Sequence, residues 1–283
     1  MVLSSGQQLL QSTWRLYNIA DKAWGVYCGD TIFRTPEEAK AEAHRSMELG
    51  YPGIKGNPLE DRTWPMDILA VGHCIRYVSA IREDVGEKLD ILMDAYGSTT
   101  SELSLEFANC VAPYRPLFLE EPVKVGSVEA LMEVPRKSSV PIATGEKLFT
   151  LHDFKPLTEQ RACAFLQPDT AHCFGITQMM EIVRSAEHQQ MLMAPQMAGG
   201  PILYAATLHI DAVMNNFLIQ ETHGLDNFCR CVEHDWIVQH GYVNVPQQPG
   251  LGIEVKEQDI AGFPYEPLPY RQYRHADGSW KGW

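Results

Sequence analysis

Three short apolar runs in this chain each end in a carboxylate, and the carboxylates are evenly spaced. The run LDILMDAY carries Asp94, PLFLEEP carries Glu120 and PIATGE carries Glu146. Twenty-six positions separate the first from the second, and again the second from the third. That is about the length of one strand, one loop and one crossover helix. Because successive parallel strands end at the same edge of a sheet, we expect these carboxylates to lie together.

The series of strand-like runs continues beyond the third carboxylate. AFLQPD ends in Asp169, MLMAPQ ends in Gln196 and NFLIQE ends in Glu221. Upstream, GIKGN is a short candidate strand and RLYNIA is a candidate first strand, which makes eight in all. Helical patterns separate most of them, and TPEEAKAEAHRSMELG has the threonine cap and the first-position proline of a helix start.

Regular alternation of strands and helices predicts an α/β fold with a parallel sheet. Eight units favour a closed TIM-type (β/α)8-like barrel. Periodicity leaves an open, doubly wound sheet as the alternative. The polar strand ends favour the barrel further, because barrel enzymes assemble their chemistry at the C-terminal ends of the strands.

Three converging carboxylates repel one another unless a cation lies between them. A site made only of oxygen ligands suits Mg²⁺ better than zinc, which prefers nitrogen and sulfur. Mg²⁺ held in this way can bind a substrate carboxylate and stabilise the enediolate that forms when the α-proton leaves. For any single acid the alternative is a structural one, in which a strand-end carboxylate caps the following helix.

Charge and composition exclude several classes of protein. The formal net charge is −13, and without a basic stripe we expect no nucleic-acid partner. No apolar run approaches the length of a membrane span, so no membrane partner is expected. The first residues lack the pattern of a signal peptide, and the seven cysteines are irregularly spaced. Reduced thiols in a cytoplasmic protein are the expectation.

Several motifs, taken in order, resemble one enzyme family. They are FLEEP, PIATGE, QPD followed by GIT, AP-x-x-x-x-GPI, NFLIQE, PGLGIEV and the ending YRHADGSWKGW. Together they resemble the mandelate racemase branch of the enolase superfamily, and within it the acid-sugar dehydratases of the galactonate type. The resemblance implies the (β/α)7β form of the barrel over residues 1–257. Residues 258–283 would be a tail that normally packs on an N-terminal α+β capping domain, which we expect this chain to lack.

The same resemblance implies a cofactor and partners. Mg²⁺ would be bound by Asp94, Glu120 and Glu146, with Glu121 beside the metal site or in the loop. The substrate would be a small-molecule carboxylate of the acid-sugar class. Barrels of this family commonly assemble, so a homo-oligomer is expected.

Further roles follow from the resemblance for the other strand ends. Lys55 would be an electrostatic group near the substrate carboxylate, with packing of its stem at the sheet end as the structural alternative. Asn57 stands where racemases carry a second lysine, a pattern that resembles the dehydratases. Glu221 would hydrogen-bond the substrate carboxylate or the enediolate.

Two positions depart from the dehydratase pattern. Tyr96 stands where those enzymes place a histidine as general acid, and tyrosine is the weaker proton donor. Gln196 stands where a histidine, paired with Asp169, removes the α-proton, and an amide cannot act as a base. His172, in the loop after Asp169, is either a substitute or an ordinary loop histidine.

These observations support two main hypotheses. The first is a Mg²⁺-dependent lyase that dehydrates a sugar acid by α-proton abstraction through an enediolate. The second is a non-catalytic or impaired barrel that keeps the metal site for folding or ligand binding. An epimerase or cycloisomerase is a third and weaker possibility, since Asn57 removes one of the usual bases.

Overall fold

A computed structural model describes residues 22–32, 35–58, 68–124, 126–222, 231–239 and 241–261 of the chain. In 22–32, 68–70 and 238–239, and at position 73, it describes the backbone alone.

Eight parallel strands close into a barrel. Each strand pairs in parallel with its successor from the first to the seventh, and the eighth pairs with the first. Between the last two, Met193 bridges Phe217, and the Leu218 N–H donates to the Met193 carbonyl at 2.8 Å. The predicted TIM-type α/β fold is thereby confirmed. The strands are β1 Lys22–Ile32, β2 Gly53–Asn57, β3 Asp90–Asp94, β4 Phe118–Glu120, β5 Ile142–Thr144, β6 Phe165–Leu166, β7 Leu192–Met193 and β8 Gln220–Thr222.

A helix follows each of the first seven strands. Side-chain caps begin four of these helices: Thr35, Thr100, Ser127 and Thr150 each accept a hydrogen bond from a backbone N–H of the first turn. Such caps satisfy N–H groups that lack a partner within the helix. The helices are α1 Pro36–Glu48, α2 Ile68–Val85, α3 Ser101–Val111, α4 Val128–Lys137, α5 Leu151–Gln160, α6 Ile176–His188 and α7 Pro201–Asp211.

Two elements differ from the sequence prediction. RLYNIA lies outside the described residues, and the strand that pairs with β2 and β8 is β1, further along the chain. Helix α5 was not predicted. Pro156 interrupts its apolar pattern, yet Thr150 and Asp153 form a capping box at its start.

Alternation along the strands produces two layers inside the barrel. An apolar cluster of Leu92, Phe118, Ala143, Ala194 and Ile219 fills the interior. Strand side chains alternate between faces, so positions two residues later face the same way. In four of the five strands those positions carry polar side chains, namely Asp94, Glu120, Gln196 and Glu221. A polar layer therefore lies directly above an apolar floor, while the outward-facing residues pack against the helices.

Residues 231–239 and 241–261 contain the elements that follow the barrel, and they contact β1 and α7. β11 (Tyr242–Asn244) pairs antiparallel with β1, and the Trp236 ring meets Tyr204 of α7 edge-on at 5.0 Å. The remaining elements are β9 Val232–Glu233, β10 Val238–Gln239, β12 Glu254–Val255 and α8 Glu257–Ala261. The proposed boundary at residue 257 stays a prediction. Within the described ranges, every helix is too short or too polar to cross a bilayer.

Candidate functional site

The three evenly spaced carboxylates meet at the C-terminal ends of β3, β4 and β5. Asp94, Glu120 and Glu146 each offer an oxygen, and the three oxygens lie within 4.8 Å of one another. Glu120 is fully buried and Glu146 nearly so. The spacing in sequence thus corresponds to proximity in space, because each repeat adds one parallel strand to the same sheet.

A glycine allows the third carboxylate to join the other two. Gly145 has a φ of +132°, and a Cβ placed there would lie 2.9 Å from the Phe154 ring and 3.2 Å from the Gln167 nitrogen. Only glycine adopts this backbone without strain. Since Ala143 faces the barrel interior, strict alternation would turn Glu146, three residues later, outward. The irregular backbone at Gly145 turns it inward.

Lys55 of β2 links two of the other strand ends. Its Nζ lies 3.0 and 2.9 Å from the two carboxylate oxygens of Glu120 and 2.7 Å from Glu221 Oε1. All three side chains are buried. The contacts show that Lys55 is directed into the barrel among the acids, and its role toward a substrate stays a prediction. Glu221 also accepts a hydrogen bond from the Met197 N–H at 3.2 Å.

The carboxylates of the cluster hold their protons more tightly than ordinary acids. Burial raises the pKa of Asp94 to about 6, with Lys55 and Lys147 opposing the change. Burial, followed by the charge of Asp94, raises the pKa of Glu146 to about 7. Burial and neighbouring acids also raise the pKa of Glu120, against the opposing charge of Lys55. Ionising all three acids at once is costly. The site therefore favours a bound cation, which offsets their negative charge.

The donor set fits Mg²⁺. Oxygens on one Mg²⁺ lie at about 2.1 Å from the ion, so any two are at most about 4.2 Å apart. The three oxygens lie within 4.8 Å of one another, so a small side-chain movement brings them within about 4.2 Å. The set contains no nitrogen or sulfur that would favour zinc.

Lys147, which was not predicted, is a second cation at the barrel mouth. Its Nζ donates to the Tyr96 carbonyl at 2.9 Å and lies 3.9 Å from the centre of the Tyr96 ring. It is 3.4 Å from Glu146 Oε1 and 3.8 Å from Glu121 Oε2. Burial lowers its pKa, but these two acids and Asp94 outweigh burial, and the net change is upward. The one available signal was a basic residue directly after a predicted metal ligand.

Glu121 supports the end of β5. Its Oε1 accepts hydrogen bonds from the Thr144 hydroxyl at 2.6 Å and from the Gly145 N–H at 2.9 Å. The residue is buried and has a φ of +43°. It therefore stabilises the turn that brings Glu146 inward and stands apart from the three converging oxygens.

The ends of β6 and β7 hold the positions expected to act on the α-proton. Asp169 bridges Gln196 through the backbone, but Asp169 Oδ1 accepts hydrogen bonds from the N–H groups of Ala171 and His172, at 2.7 and 2.9 Å. This oxygen thus caps the start of the following loop, and a catalytic role for Asp169 stays a prediction. Gln196 is buried, and its Oε1 has no hydrogen-bond partner in the part of the chain that the structure describes. His172 Nδ1 lies 2.9 Å from the Glu146 carbonyl oxygen, so the loop histidine reaches the site's edge.

Large apolar side chains surround the mouth of the barrel. The most exposed are Tyr96, Phe149 and Phe174 in the loops after β3, β5 and β6, and Ile202 in the first turn of α7. The mouth is therefore an acidic, buried centre inside an apolar rim.

Comparison with known proteins identifies the family. A family model described as enolase C-terminal domain-like matches residues 38–259. The chain belongs to the enolase superfamily. Solved structures of this superfamily's mandelate racemase branch are similar to it, and so are galactonate dehydratases, which confirms the resemblance found in the sequence motifs.

Two relatives of this enolase-superfamily chain are D-galactonate dehydratases. The protein of Cronobacter sakazakii (strain ATCC BAA-894) is 30% identical over 292 residues, covering 98% of this chain and 75% of that protein. The protein of Ralstonia pickettii (strain 12J) is 33% identical over 244 residues, covering 83% and 64%.

Two solved structures have a similar fold. A mandelate racemase/muconate lactonizing enzyme-like protein from Roseovarius sp. TM1035 is 28% identical with a TM-score of 0.83, covering 88% of this chain and 66% of that one. A mandelate racemase/muconate lactonizing enzyme from Sulfitobacter sp. is also 28% identical with a TM-score of 0.83, covering 89% and 67%. The enolase-superfamily chain therefore spans about two thirds of the length of these structures.

Proposed function

We propose that this protein is a Mg²⁺-dependent dehydratase that acts on a sugar acid. The observation that carries the proposal is the convergence of Asp94, Glu120 and Glu146 within 4.8 Å at the barrel mouth. The similarity to galactonate dehydratases supports the reaction class. The products would be water and a 2-keto-3-deoxy acid, formed when the α-proton and the β-hydroxyl leave and the resulting enol tautomerises.

Five strand ends would hold the metal and the substrate carboxylate. Mg²⁺ bound to Asp94, Glu120 and Glu146 would supply positive charge that stabilises the enediolate. Lys55 and Glu221, which contact each other at 2.7 Å, would hold the carboxylate end of the substrate. The Lys55 ammonium offers charge, and a Glu221 carboxyl oxygen offers a hydrogen-bonding group.

Tyr96 would donate the proton to the departing hydroxyl. It follows Asp94 by two residues, and 38% of its surface is exposed at the mouth, so a substrate can reach the phenol. Gln196 would orient the substrate through its amide, which can donate and accept hydrogen bonds but cannot take the α-proton. That proton would pass to the imidazole of His172, whose ring reaches the edge of the site.

Product formation is the direct test of this proposal. The protein is incubated with Mg²⁺ and a library of acid sugars, and 2-keto-3-deoxy products are measured. We expect turnover of at least one member, lost on addition of EDTA and in Glu146→Gln. The matched control Glu133→Gln alters an exposed glutamate that pairs with Lys137 on α4, and it should keep the activity. Absence of product from every member would count decisively against the dehydratase.

A second candidate function is metal-dependent binding without catalysis. The buried Gln196 amide favours it, because no group that accepts a proton replaces the expected histidine at that strand end. The variant Gln196→His separates the two candidates. Product formation that appears or rises in the variant supports the dehydratase framework. A variant without activity, from a parent that Mg²⁺ clearly stabilises against heat, supports the binding barrel.

A further inference from the structure

The shortest contact of the Lys147 ammonium is with the Tyr96 carbonyl, and its contacts with the acids are longer. The Nζ to carbonyl distance is 2.9 Å, within the usual range of 2.7 to 3.2 Å for such hydrogen bonds. The distances to Glu146 and Glu121 are 3.4 and 3.8 Å, beyond that range. Lys55, by contrast, contacts Glu120 and Glu221 at 3.0 Å or less. Lys55 therefore pairs directly with the acids, whereas Lys147 attracts them over longer distances and makes its direct hydrogen bond to Tyr96.

Lys147 contacts both the backbone and the ring of Tyr96. Besides the hydrogen bond to the carbonyl, its ammonium lies 3.9 Å from the ring centre. A cation within about 6 Å of the ring centre is attracted to the electron-rich face. One side chain thus restrains the peptide and the direction of the phenol together.

Tyr96 lies in a conformation that needs such restraint. Its φ is +53°, and Gly97 follows with a φ of +70°. Non-glycine residues avoid this left-handed region. The Tyr96 N–H donates to Asp94 Oδ1 at 2.7 Å and the Gly97 N–H to the Glu121 carbonyl at 2.8 Å. These bonds hold the turn, but the exposed ring is not held by burial.

We propose that Lys147 is a positioning residue that holds the Tyr96 phenol at the barrel mouth. The contact joins the loop after β3 to the loop after β5 across the end of β4. The use of the phenol as a proton donor rests on the proposed function, whereas its positioning by Lys147 does not.

The test is ¹⁹F NMR of protein labelled with 3-fluorotyrosine, which reports on the Tyr96 ring directly. EDTA keeps the samples free of metal. Tyr96→Phe identifies the Tyr96 signal. Lys147→Met removes the ammonium but keeps most of the stem, and Lys147→Arg restores a cation able to donate and to stack. The control Lys155→Met makes the same change at an exposed lysine paired with Glu159 at 3.6 Å. We expect the ¹⁹F chemical shift of Tyr96 to change in Lys147→Met and to return toward the parent value in Lys147→Arg. In Lys155→Met it should equal the parent value.

Two results would overturn the positioning role. One is a Tyr96 signal that Lys147→Met leaves in place, and the other is an equal movement in Lys155→Met, which would indicate a general effect of charge. If circular dichroism shows that Lys147→Met does not fold, Lys147→Gln is measured against the same criteria.

Mg²⁺ titration of the same samples separates this inference from the proposed function. A parent that binds no Mg²⁺ would refute the metal-dependent reaction and leave the NMR result standing. In an active parent, Lys147→Met should lower kcat about tenfold or more with little change in KM, because a displaced phenol affects the chemical step. A change in KM alone would contradict positioning of a reacting group.

Discussion

Replacement of Glu146 by glutamine should stabilise the metal-free protein at pH 8. The pKa of Glu146 is raised to about 7 from an ordinary value of 4.5, and each pKa unit is worth about 1.4 kcal/mol. Keeping this carboxylate ionised therefore costs the folded state about 3 kcal/mol. Glutamine removes the charge but buries an amide, which costs about 1 kcal/mol if poorly bonded. We expect a net gain of about 1 to 3 kcal/mol in the free energy of unfolding.

The sign of the pH dependence follows from the raised pKa. Between pH 4.5 and 7 the folded state binds more protons at Glu146 than the unfolded state does. This group therefore makes the parent less stable as the pH rises through 7, and its cost disappears below 4.5. The advantage of Glu146→Gln should accordingly be full at pH 8 and shrink to less than about 1 kcal/mol at pH 5.

Urea unfolding followed by circular dichroism measures both effects. The parent, Glu146→Gln and the exposed control Glu133→Gln are compared in EDTA at pH 8 and pH 5, and the control should stay within about 0.5 kcal/mol of the parent. Mg²⁺ at pH 8 should reverse the order, because an ion at about 1,000 times its Kd adds about 4.1 kcal/mol to the parent alone. A variant less stable than the parent by the same amount at both pH values in EDTA would refute the reasoning.

Three further predictions concern other buried groups. Lys55→Met leaves the Glu120 and Glu221 carboxylates without their shared ammonium, and urea unfolding at pH 8 should show a loss of about 3 to 5 kcal/mol. Gly145→Ala forces a Cβ to within 2.9 Å of the Phe154 ring, and both the melting temperature and Mg²⁺ affinity should fall; an unchanged affinity would contradict the turn's role. Burial raises the pKa of Asp211 well above its ordinary range, and neither of its oxygens has a partner among the described residues. Asp211→Asn should thus be more stable than the parent by a larger margin at pH 8 than at pH 5, and thermal melts at the two pH values measure this difference.

The barrel was largely predictable because its pattern is local. β2 has the bounds of the predicted run GIKGN, and α1 begins at Pro36 after its Thr35 cap. Strand-end polarity located the acids, since residues two apart on a strand share a face. Helix α5 was not predicted because Pro156 breaks its apolar periodicity, although the capping pair of Thr150 and Asp153 is visible in the sequence.

The contacts within the site were less predictable than its members. Lys147 follows Glu146 directly, and nothing in its spacing indicates that its ammonium lies over the Tyr96 ring. That contact depends on the left-handed turn at Tyr96, a tertiary detail that propensities do not encode. Asp169 was assigned from family resemblance to a pair with position 196, and that role stays a prediction. The hydrogen bonds that its Oδ1 accepts from its own loop could not be foreseen from the sequence.

The ties made by Lys55 have a consequence for how the sequence can change. The Lys55 ammonium contacts the carboxylates of both Glu120 and Glu221. A substitution of any one of these three residues therefore disturbs the other two. Gln196 lies outside this set of contacts, and its Oε1 has no partner among the residues that the structure describes. Position 196 can therefore vary almost independently of the charged network. In a mutant library selected for new reactions, successful variants should accumulate at position 196 and be scarce at position 55.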